Sequence, residues 1–447
     1  MFVPGLSEQP DRKGFGRRLM DEVKAPVKPF DISKAEVWRA WEKVRGNQGA
    51  AGVDGVSVEA FEERVHDNVY LIWNRMASGT YFPPAVRAVP IPKSNGGTRI
   101  LGVPTVGDRV AQTVVAEHVM AVAEPVFHRD SYGYRPKRSA LDAVAVCRTR
   151  CWEYDWVIEF DIAKFFDSVP WDKIVACVQA HTEARWVVLY VRRWLAAGLQ
   201  MPDGSVTERD LGTPQGSAVS PVLANLFLHH AFDVWMDREF PACPFERYAD
   251  DGVIHCRSLE QAQQVLAALE ARMAEVGLRL HPDKTQIVYC GDGNRRGGGP
   301  GSRWPHTQFT FLGFTFRPRK AVGKDGVYFT GFLPAISVQA LKRLSRVVHD
   351  WHLHRKTTYD RTMLAKVINP VLAGWMAYYG RFYRSALYAL FYRVNTYLLR
   401  WIRKKYRVGM KEAVRRLAQG FEKWPKLYKH WIWVPPAGAA TRTTRAV

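Results

Sequence analysis

What this chain lacks narrows its reading first. No uninterrupted apolar stretch is long enough to span a bilayer. Residues 1–10 hold no apolar run of the kind that opens a secretory signal. A cytoplasmic protein with no membrane partner is expected. Only six cysteines occur in 447 residues, at 147, 151, 177, 243, 256 and 290, and no two form Cys-x-x-Cys. Cys147 and Cys151 lack a second pair or a nearby histidine to complete a zinc site. Scattered thiols fit a reducing compartment. Internal repeats and long low-complexity tracts are also missing.

Acid is scarce in one region only. From Gly331 to Val447 there are 23 Lys and Arg against 4 Asp and Glu, a net +19, whereas the first 330 residues carry only +2 of the total +21. A near-neutral body joined to a strongly basic third, with bases among aromatics rather than among glutamates, points to a polyanion lying along that third. A hydrophobic fraction of 47% and an aromatic fraction of 13% make the chain globular.

Along the chain, residues 1–30 are polar and carry prolines, and read as a mobile leader. Helices are expected at 35–44 and, unbroken, at 57–77, with a glycine-rich loop at 46–55 between them. That loop lacks the Lys-Ser/Thr of a phosphate-binding GxxxxGK[ST] loop. Residues 81–104 alternate, turn at Asn95-Gly96-Gly97 and alternate again, which is a β-hairpin pattern. Lys93 and Arg99 flank the turn as a two-armed cationic clamp for phosphates. Helices follow at 108–123 and 140–150, separated by a loop, 130–139, that mixes aromatics with Arg135 and Lys137.

Residues 156–162 (WVIEFDI) are a largely apolar strand that ends on Asp161. A carboxylate there is costly unless it is paired or holds a metal; the other reading is a helix N-cap. Residues 211–217 form a Gly/Pro turn, and a long apolar helix runs from it to about Glu239. Next comes FERYADDGVIH (245–255), two strands joined by a turn at Asp250 and Asp251, where Asp and Gly tolerate the positive φ that such a turn needs. If the strands bearing Asp161 and Asp250–Asp251 are neighbours in one antiparallel sheet, three carboxylates converge as two Mg²⁺ ions about 3.5–4 Å apart would require for in-line nucleotidyl transfer. FTFLGFTF (309–316) reads as one strand. Trp375, Tyr378, Tyr379, Phe382 and Tyr383 fall on one helix face behind Asn369-Pro370 and read mainly as bundle core. A helix at 392–406 carries Arg393, Arg400, Arg403, Lys404 and Lys405.

FDIAKFFDSV, GTPQGSAVSPVLANLF and RYADDGVIHC resemble, in order, the palm motifs of reverse transcriptases. The resemblance extends to the group II intron-encoded type. GVDG (52–55), VPIPKSNGGTRILGVPTVGDRVAQ, DSYGYRPKRSA, GLRLHPDKT and FLGF resemble that family's further motifs, and NPVLAGWMAYYGRFYR its maturase or thumb domain. The similarity covers roughly residues 45–405.

The family implies an α+β right-hand polymerase: fingers and palm at 31–330, with an antiparallel palm sheet, then an α-helical thumb/maturase domain at 331–420. A basic, aromatic, DNA-binding-like tail would occupy 421–447. It implies Asp161, Asp250 and Asp251 as catalytic metal ligands, joined by the Ile162 carbonyl and holding two Mg²⁺ with Mn²⁺ as a substitute. Lys93 and Arg99 would grip the incoming dNTP, Phe166 would exclude a 2′-hydroxyl, and Gln215 and Gly216 would line the nucleotide pocket. Tyr248, Arg135, Lys137, Arg393, Arg400, Arg403 and Lys404 would touch primer or template.

The implied function is RNA-directed DNA polymerisation by a protein that also binds its group II intron RNA, assists splicing and copies RNA from a DNA primer or target. Alternatives are a domesticated relative in defence or repair, or an RNA-binding maturase whose polymerase is idle. With no cysteine after Tyr406, the paired-cysteine endonuclease of many group II proteins is expected to be missing, as in class C introns.

Overall fold

A computed structural model describes residues 28–92, 96–293, 295, 304–323 and 325–439. Almost all of the leader, Lys93 and most of the 291–301 loop lie outside the described residues. The chain forms two compact units. One takes the residues up to His118 with 182–210 and 214–219, and the other takes 119–181, 211–213 and everything from Ser220 on.

In the first unit, α1 (Lys34–Asn47) opens with a capping box: the Ser33 hydroxyl accepts from the Glu36 N–H and the Glu36 carboxylate accepts from the Ser33 N–H. Val37, Ala40, Trp41 and Val44 recur at helical spacing and are buried. The single helix expected over 57–77 is two, α2 (Val58–Glu62) and α3 (Val65–Ala77). The break is stabilised by the Asn68 amide, which donates to the Phe61 carbonyl at 3.0 Å and so satisfies a group that the end of α2 leaves open. β1 (Val86–Pro92) and β2 (Thr98–Val103) form the expected antiparallel hairpin, with Ile91 opposite Arg99. Two short strands, Leu199–Gln200 and Val206–Thr207, extend that sheet. On α4 (Val106–Ala123), buried Asp108 accepts from Tyr81 Oη, Trp194 Nε1 and Gln112 Nε2 at 2.7–2.8 Å. Burial pushes its carboxyl up to about 6.

The second unit is built on a four-stranded antiparallel sheet. Its strands are β3 (Trp156–Asp161), β4 (Phe245–Tyr248), β5 (Asp251–Cys256) and β6 (Gln286–Tyr289), in spatial order β4-β5-β3-β6. α5 (Ala140–Glu153) comes before β3, α6 (Trp171–His181) follows it, and α8 (Leu259–Glu275) links β5 to β6. α7 (Ser220–Leu228) is buried at every position but Pro221 and runs through a π turn, His229–Asp233, into a last helical stretch, Val234–Glu239.

FTFLGFTF is a hairpin and not the single strand expected. β7 (Phe309–Phe311) turns at Leu312 and Gly313, which both have positive φ, into β8 (Phe314–Val322). This two-residue turn suits the strand twist, and it puts Phe309, Phe311, Phe314 and Phe316 into one core. β9 (Tyr328–Ile336) completes the sheet.

The basic third is helical: α9 (Val338–Asp350), α10 (Arg361–Tyr379), α11 (Tyr388–Tyr406) and α12 (Met410–Lys423). Pro370 lies inside α10, ahead of Trp375. Because α10 ends at Tyr379, Phe382 and Tyr383 leave the helix face assigned to them. The aromatic stripe is still core. Trp375 stacks on Trp351, Tyr378 and Tyr379 pack on Phe314, and the Tyr378 hydroxyl donates to the Leu312 carbonyl at 2.9 Å. In the basic, aromatic tail expected at 421–447, Tyr428, His430, Trp431 and Val434 are buried, with Asn395 bonded to His430, Trp431 and Val434, while Lys423, Trp424, Lys426 and Lys429 are exposed. Among the described residues no helix is long and apolar enough to cross a membrane.

Candidate active site

The β4–β5 hairpin is held by groups that its sequence pattern conceals. The positive φ of the turn falls on Ala249, at +56°, and not on an aspartate or on Gly252 as expected. Arg247 makes this tolerable by donating to the Ala249 carbonyl at 3.2 Å. Its guanidinium, only 1% exposed, also binds both carboxylate oxygens of Asp233 at 2.6 Å and reaches Asn225 and Ser131 at 2.9 Å. Gly252 is required by a close approach, since a Cβ there would lie 2.2 Å from the Phe160 ring on β3. Lower on the hairpin, buried Glu246 pairs with Arg150 at 2.5 Å and with His255 at 2.7 Å. Burial lowers the His255 pKa, yet the Glu246 carboxylate outweighs it and the imidazole rises to about 10.

β3 and β5 are direct antiparallel neighbours, which meets the condition for converging carboxylates. Asp161, the last residue of β3, stands opposite Asp251, the first of β5, with Asp250 immediately before it. Burial and then the Asp250 and Asp161 charges push the Asp251 carboxyl up to about 7. Lys284 supplies an opposing charge, its Nζ lying 2.8 Å from Asp161 Oδ2. Glu159, two positions before Asp161, is raised by burial; it accepts from Gln286 at 2.6 Å and from the Thr310 N–H at 3.0 Å. The chain after β3 bonds to 279–281 through the Ala163 N–H and the Asp161 carbonyl, which leaves the Ile162 carbonyl out of that bridge.

The carboxylates of Asp161 and Asp251, opposite each other on β3 and β5 with Asp250 alongside, are hard oxygen donors that suit a divalent cation such as Mg²⁺ or Mn²⁺ and give no reason for a thiolate-seeking metal. A cavity of about 900 Å³ opens beside it, lined by Asp161, Asp251, Lys284, Gln286, Arg317 and Arg319 among others.

The other expected residues divide by unit. In the first, the Arg99 Nε donates to the Gln215 side-chain oxygen, and the Gly102 N–H donates to the Gln215 carbonyl at 2.6 Å, so strand and turn are tied. Gly216 has φ +109°, and a Cβ there would also meet the Gly102 carbonyl at 2.4 Å, so glycine is needed on both counts. In the second, Phe166 is half-buried and packs edge-on to Phe165, and its carbonyl accepts from the Thr213 N–H at 2.6 Å. Tyr248 is half-buried at the end of β4, 6.4 Å from the Tyr134 ring.

Arg135 is a correction. Its side chain is 3% exposed, forks onto Glu124 and donates to the His128 and Ser131 carbonyls, so it braces the 130–139 loop and has nothing left to offer primer or template. Lys137, Arg393, Arg400, Arg403 and Lys404 are exposed. Sequence reasoning missed Lys284 and Glu159. For Glu159 a signal existed, as the one other acid in the apolar strand and on the same face as Asp161; for Lys284 the only signal was its place in a matched motif.

The family model described as Reverse transcriptase (RNA-dependent DNA polymerase) matches residues 91–316, and that described as Group II intron, maturase-specific domain matches 341–419. The chain is 30% identical over 282 residues to Protein YkfC of Escherichia coli strain K12, covering 54% of this chain and 73% of that protein. It is 30% identical over 213 residues to Group II intron-encoded protein LtrA of Lactococcus lactis subsp. cremoris, but this covers 47% of the chain and only 35% of LtrA. A solved telomerase from Candida albicans aligns with a TM-score of 0.43 at 11% identity, over 79% of this chain and 66% of that one.

Proposed function

The chain belongs to the reverse transcriptase family, the RNA-directed DNA polymerases, in the group that carries the maturase domain of group II introns, and we propose that it binds its intron RNA, assists splicing and copies RNA into DNA for intron mobility. The observation that carries the polymerase reading is the register of Asp161 opposite Asp251, with Asp250 adjacent, in an antiparallel sheet beside an open cavity. An idle polymerase would have no need to keep three carboxylates where two are neighbours across a strand pair and one is pushed up to about 7.

In this reading Asp161, Asp250 and Asp251, with the Ile162 carbonyl, hold the divalent ions. When bound, two such ions would lower the pKa of a primer 3′-hydroxyl and offset the charge of the pyrophosphate that leaves as the α-phosphate joins the 3′-oxygen. Mg²⁺ is the ion we assign, with Mn²⁺ able to replace it. Arg99, with Lys93, meets the triphosphate. The Arg99–Gln215 bond sets that arm before the nucleotide arrives. Phe166 lies under the sugar and disfavours a 2′-hydroxyl, so dNTPs are the substrates. Tyr248 packs beside the primer end. Fingers and palm occupy 31–330, and a thumb/maturase region follows at 331–420. An A-form template–primer is recognised there by backbone shape and charge rather than by sequence.

The test is primer extension on an RNA template with Mg²⁺. Extension with dNTPs and far less with NTPs is expected. A protein that extends no primer, or one that prefers NTPs, contradicts the assignment. For the intron partner, the protein is expected to accelerate excision of its surrounding RNA, and an unchanged splicing rate contradicts the maturase part.

A further inference from the structure

Cys147 and Cys151 alone make no zinc site, but the fold brings them a third thiol and a histidine from distant parts of the chain. The two cysteines stand one turn apart on α5, so their side chains share a helix face. His255 on β5 lies opposite Val157 on β3, and Val157 lies opposite Val288 on β6. Cys290 follows Val288 by two positions, its N–H donating to the Asp155 carbonyl at 2.8 Å. Strand alternation therefore puts His255 and Cys290 on one face of the sheet, and Glu246 on β4 shares that face. The three cysteines and His255 are fully buried, and the cysteines belong to one core.

The contacts close around Cys151, whose thiol interacts with Cys147, Cys290 and His255. Cys147 Sγ, a ring nitrogen of His255 and a Glu246 oxygen all lie within 4.8 Å of one another. His255 Nε2 is 2.7 Å from Glu246 Oε2, whereas its Nδ1 is buried and makes no hydrogen bond. A buried ring nitrogen left open is uncommon and calls for a reason. Metal-bound histidines have this arrangement, with one ring nitrogen on a carboxylate and the other on the ion. Without a cation, burial pushes the Cys147 and Cys151 thiols up to about 12 and keeps them protonated. Positive charge to balance thiolates is nearby, as Arg295 donates to the Cys151 and Cys290 carbonyls at 2.8 and 2.7 Å and Arg150 pairs with Glu246.

We infer that Cys147, Cys151, Cys290 and His255 Nδ1 form a structural site for one Zn²⁺ ion, which ties α5 to the strands that carry the catalytic hairpin. Three thiolates and one imidazole are a closed tetrahedral set for this metal, with no position left for a substrate. Binding releases the three thiol protons and any proton on Nδ1 to solvent. It leaves the centre with one net negative charge, which Arg295 and Arg150 offset. His255 is four positions beyond Asp251, ~13 Å along β5, so the site is separate from the carboxylates. An ion held this deep enters as the chain folds. The inference does not depend on the polymerase reading.

The test is the metal bound by the full chain when it is expressed in medium supplemented with Zn²⁺ and purified under reducing conditions in excess Mg²⁺. One Zn²⁺ per chain is expected to remain after desalting. X-ray absorption should show three sulfurs at about 2.3 Å and one nitrogen at about 2.0 Å from it. Expression with Co²⁺ instead should give the intense thiolate-to-cobalt charge-transfer band of a tetrahedral site. Cys151→Ser and Cys290→Ser should each lose that band, and Cys243→Ser, outside the set, should keep it. The wild-type spectrum decides even where a variant fails to fold. A chain that retains no zinc, zinc bound by oxygen and nitrogen alone, or an unchanged cobalt band in Cys151→Ser overturns the site.

Discussion

Lys284 Nζ lies 2.8 Å from Asp161 Oδ2, so one of the three site carboxylates already has a cation of the protein's own. The two residues are 123 positions apart, and β3 pairing with the segment around Leu280 brings them together. A divalent ion that takes Asp161 must share it with this ammonium or displace it.

Replacing Lys284 by Met removes that competitor. The metal concentration giving half of the full thermal stabilisation should fall by about two- to fivefold, since the ammonium is largely exposed and worth about 0.5–1 kcal/mol. Melting curves across a Mg²⁺ titration measure this. A rise in the required concentration would mean that Lys284 supports the metal and does not compete with it.

Asp251 sets a pH dependence. Its carboxyl is raised to about 7 in the fold against about 3.9 in an unfolded chain. Between those values the folded state holds the extra proton, so the contribution to stability is full at low pH and is lost as pH rises through 7. Without metal, Asp251→Asn should be more stable than the wild type at pH 8 by up to about 4 kcal/mol and nearly equal to it below pH 4. Divalent metal should close the gap at pH 8. Melting in a chelator at the two pH values checks it, and equal stabilities at pH 8 count against the strained carboxylate.

Arg247 and Asp233 test what holds the hairpin. Arg247→Met leaves buried Asp233 with only His229, 3.6 Å away, and should cost about 3–5 kcal/mol. Adding Asp233→Asn should recover part of that loss, because the abandoned charge goes with it. Chemical denaturation of the two variants measures the difference; no recovery would mean that packing rather than charge dominates.

His430 gives the maturase region an acid limit. Burial pulls its pKa down to about 3, while its Nε2 bonds to Asn395 at 2.8 Å. The unfolded chain takes up a proton near pH 6.5 and the folded one does not, so stability is lost as pH falls from 6.5 toward 3. His430→Gln should flatten that loss. Acid unfolding followed by tryptophan fluorescence should show it, given that Trp431 is buried alongside.

The sequence made the palm legible where local pattern and global fold agree. An apolar run ending in Asp161 and a turn with two aspartates gave the strands, and their antiparallel pairing followed. It was less informative where the deciding partner is remote. FTFLGFTF alternates like one strand, and only the three-dimensional core shows that Leu312 and Gly313 turn it back. Arg135 reads as a nucleic-acid contact because sequence reports charge and not burial; its partner, Glu124, comes from the helix before the loop. Lys284 was passed over for a related reason, since nothing local ties it to Asp161.

The central claim is that the three carboxylates perform RNA-templated DNA synthesis, and Asp250→Asn tests it most directly. In Mg²⁺, with an RNA template, a DNA primer and dNTPs, this variant should bind the template–primer as the wild type does and extend it at least about a thousandfold more slowly, the loss of about 4 kcal/mol of transition-state stabilisation. Extension at the wild-type rate by a variant that still binds would contradict the account.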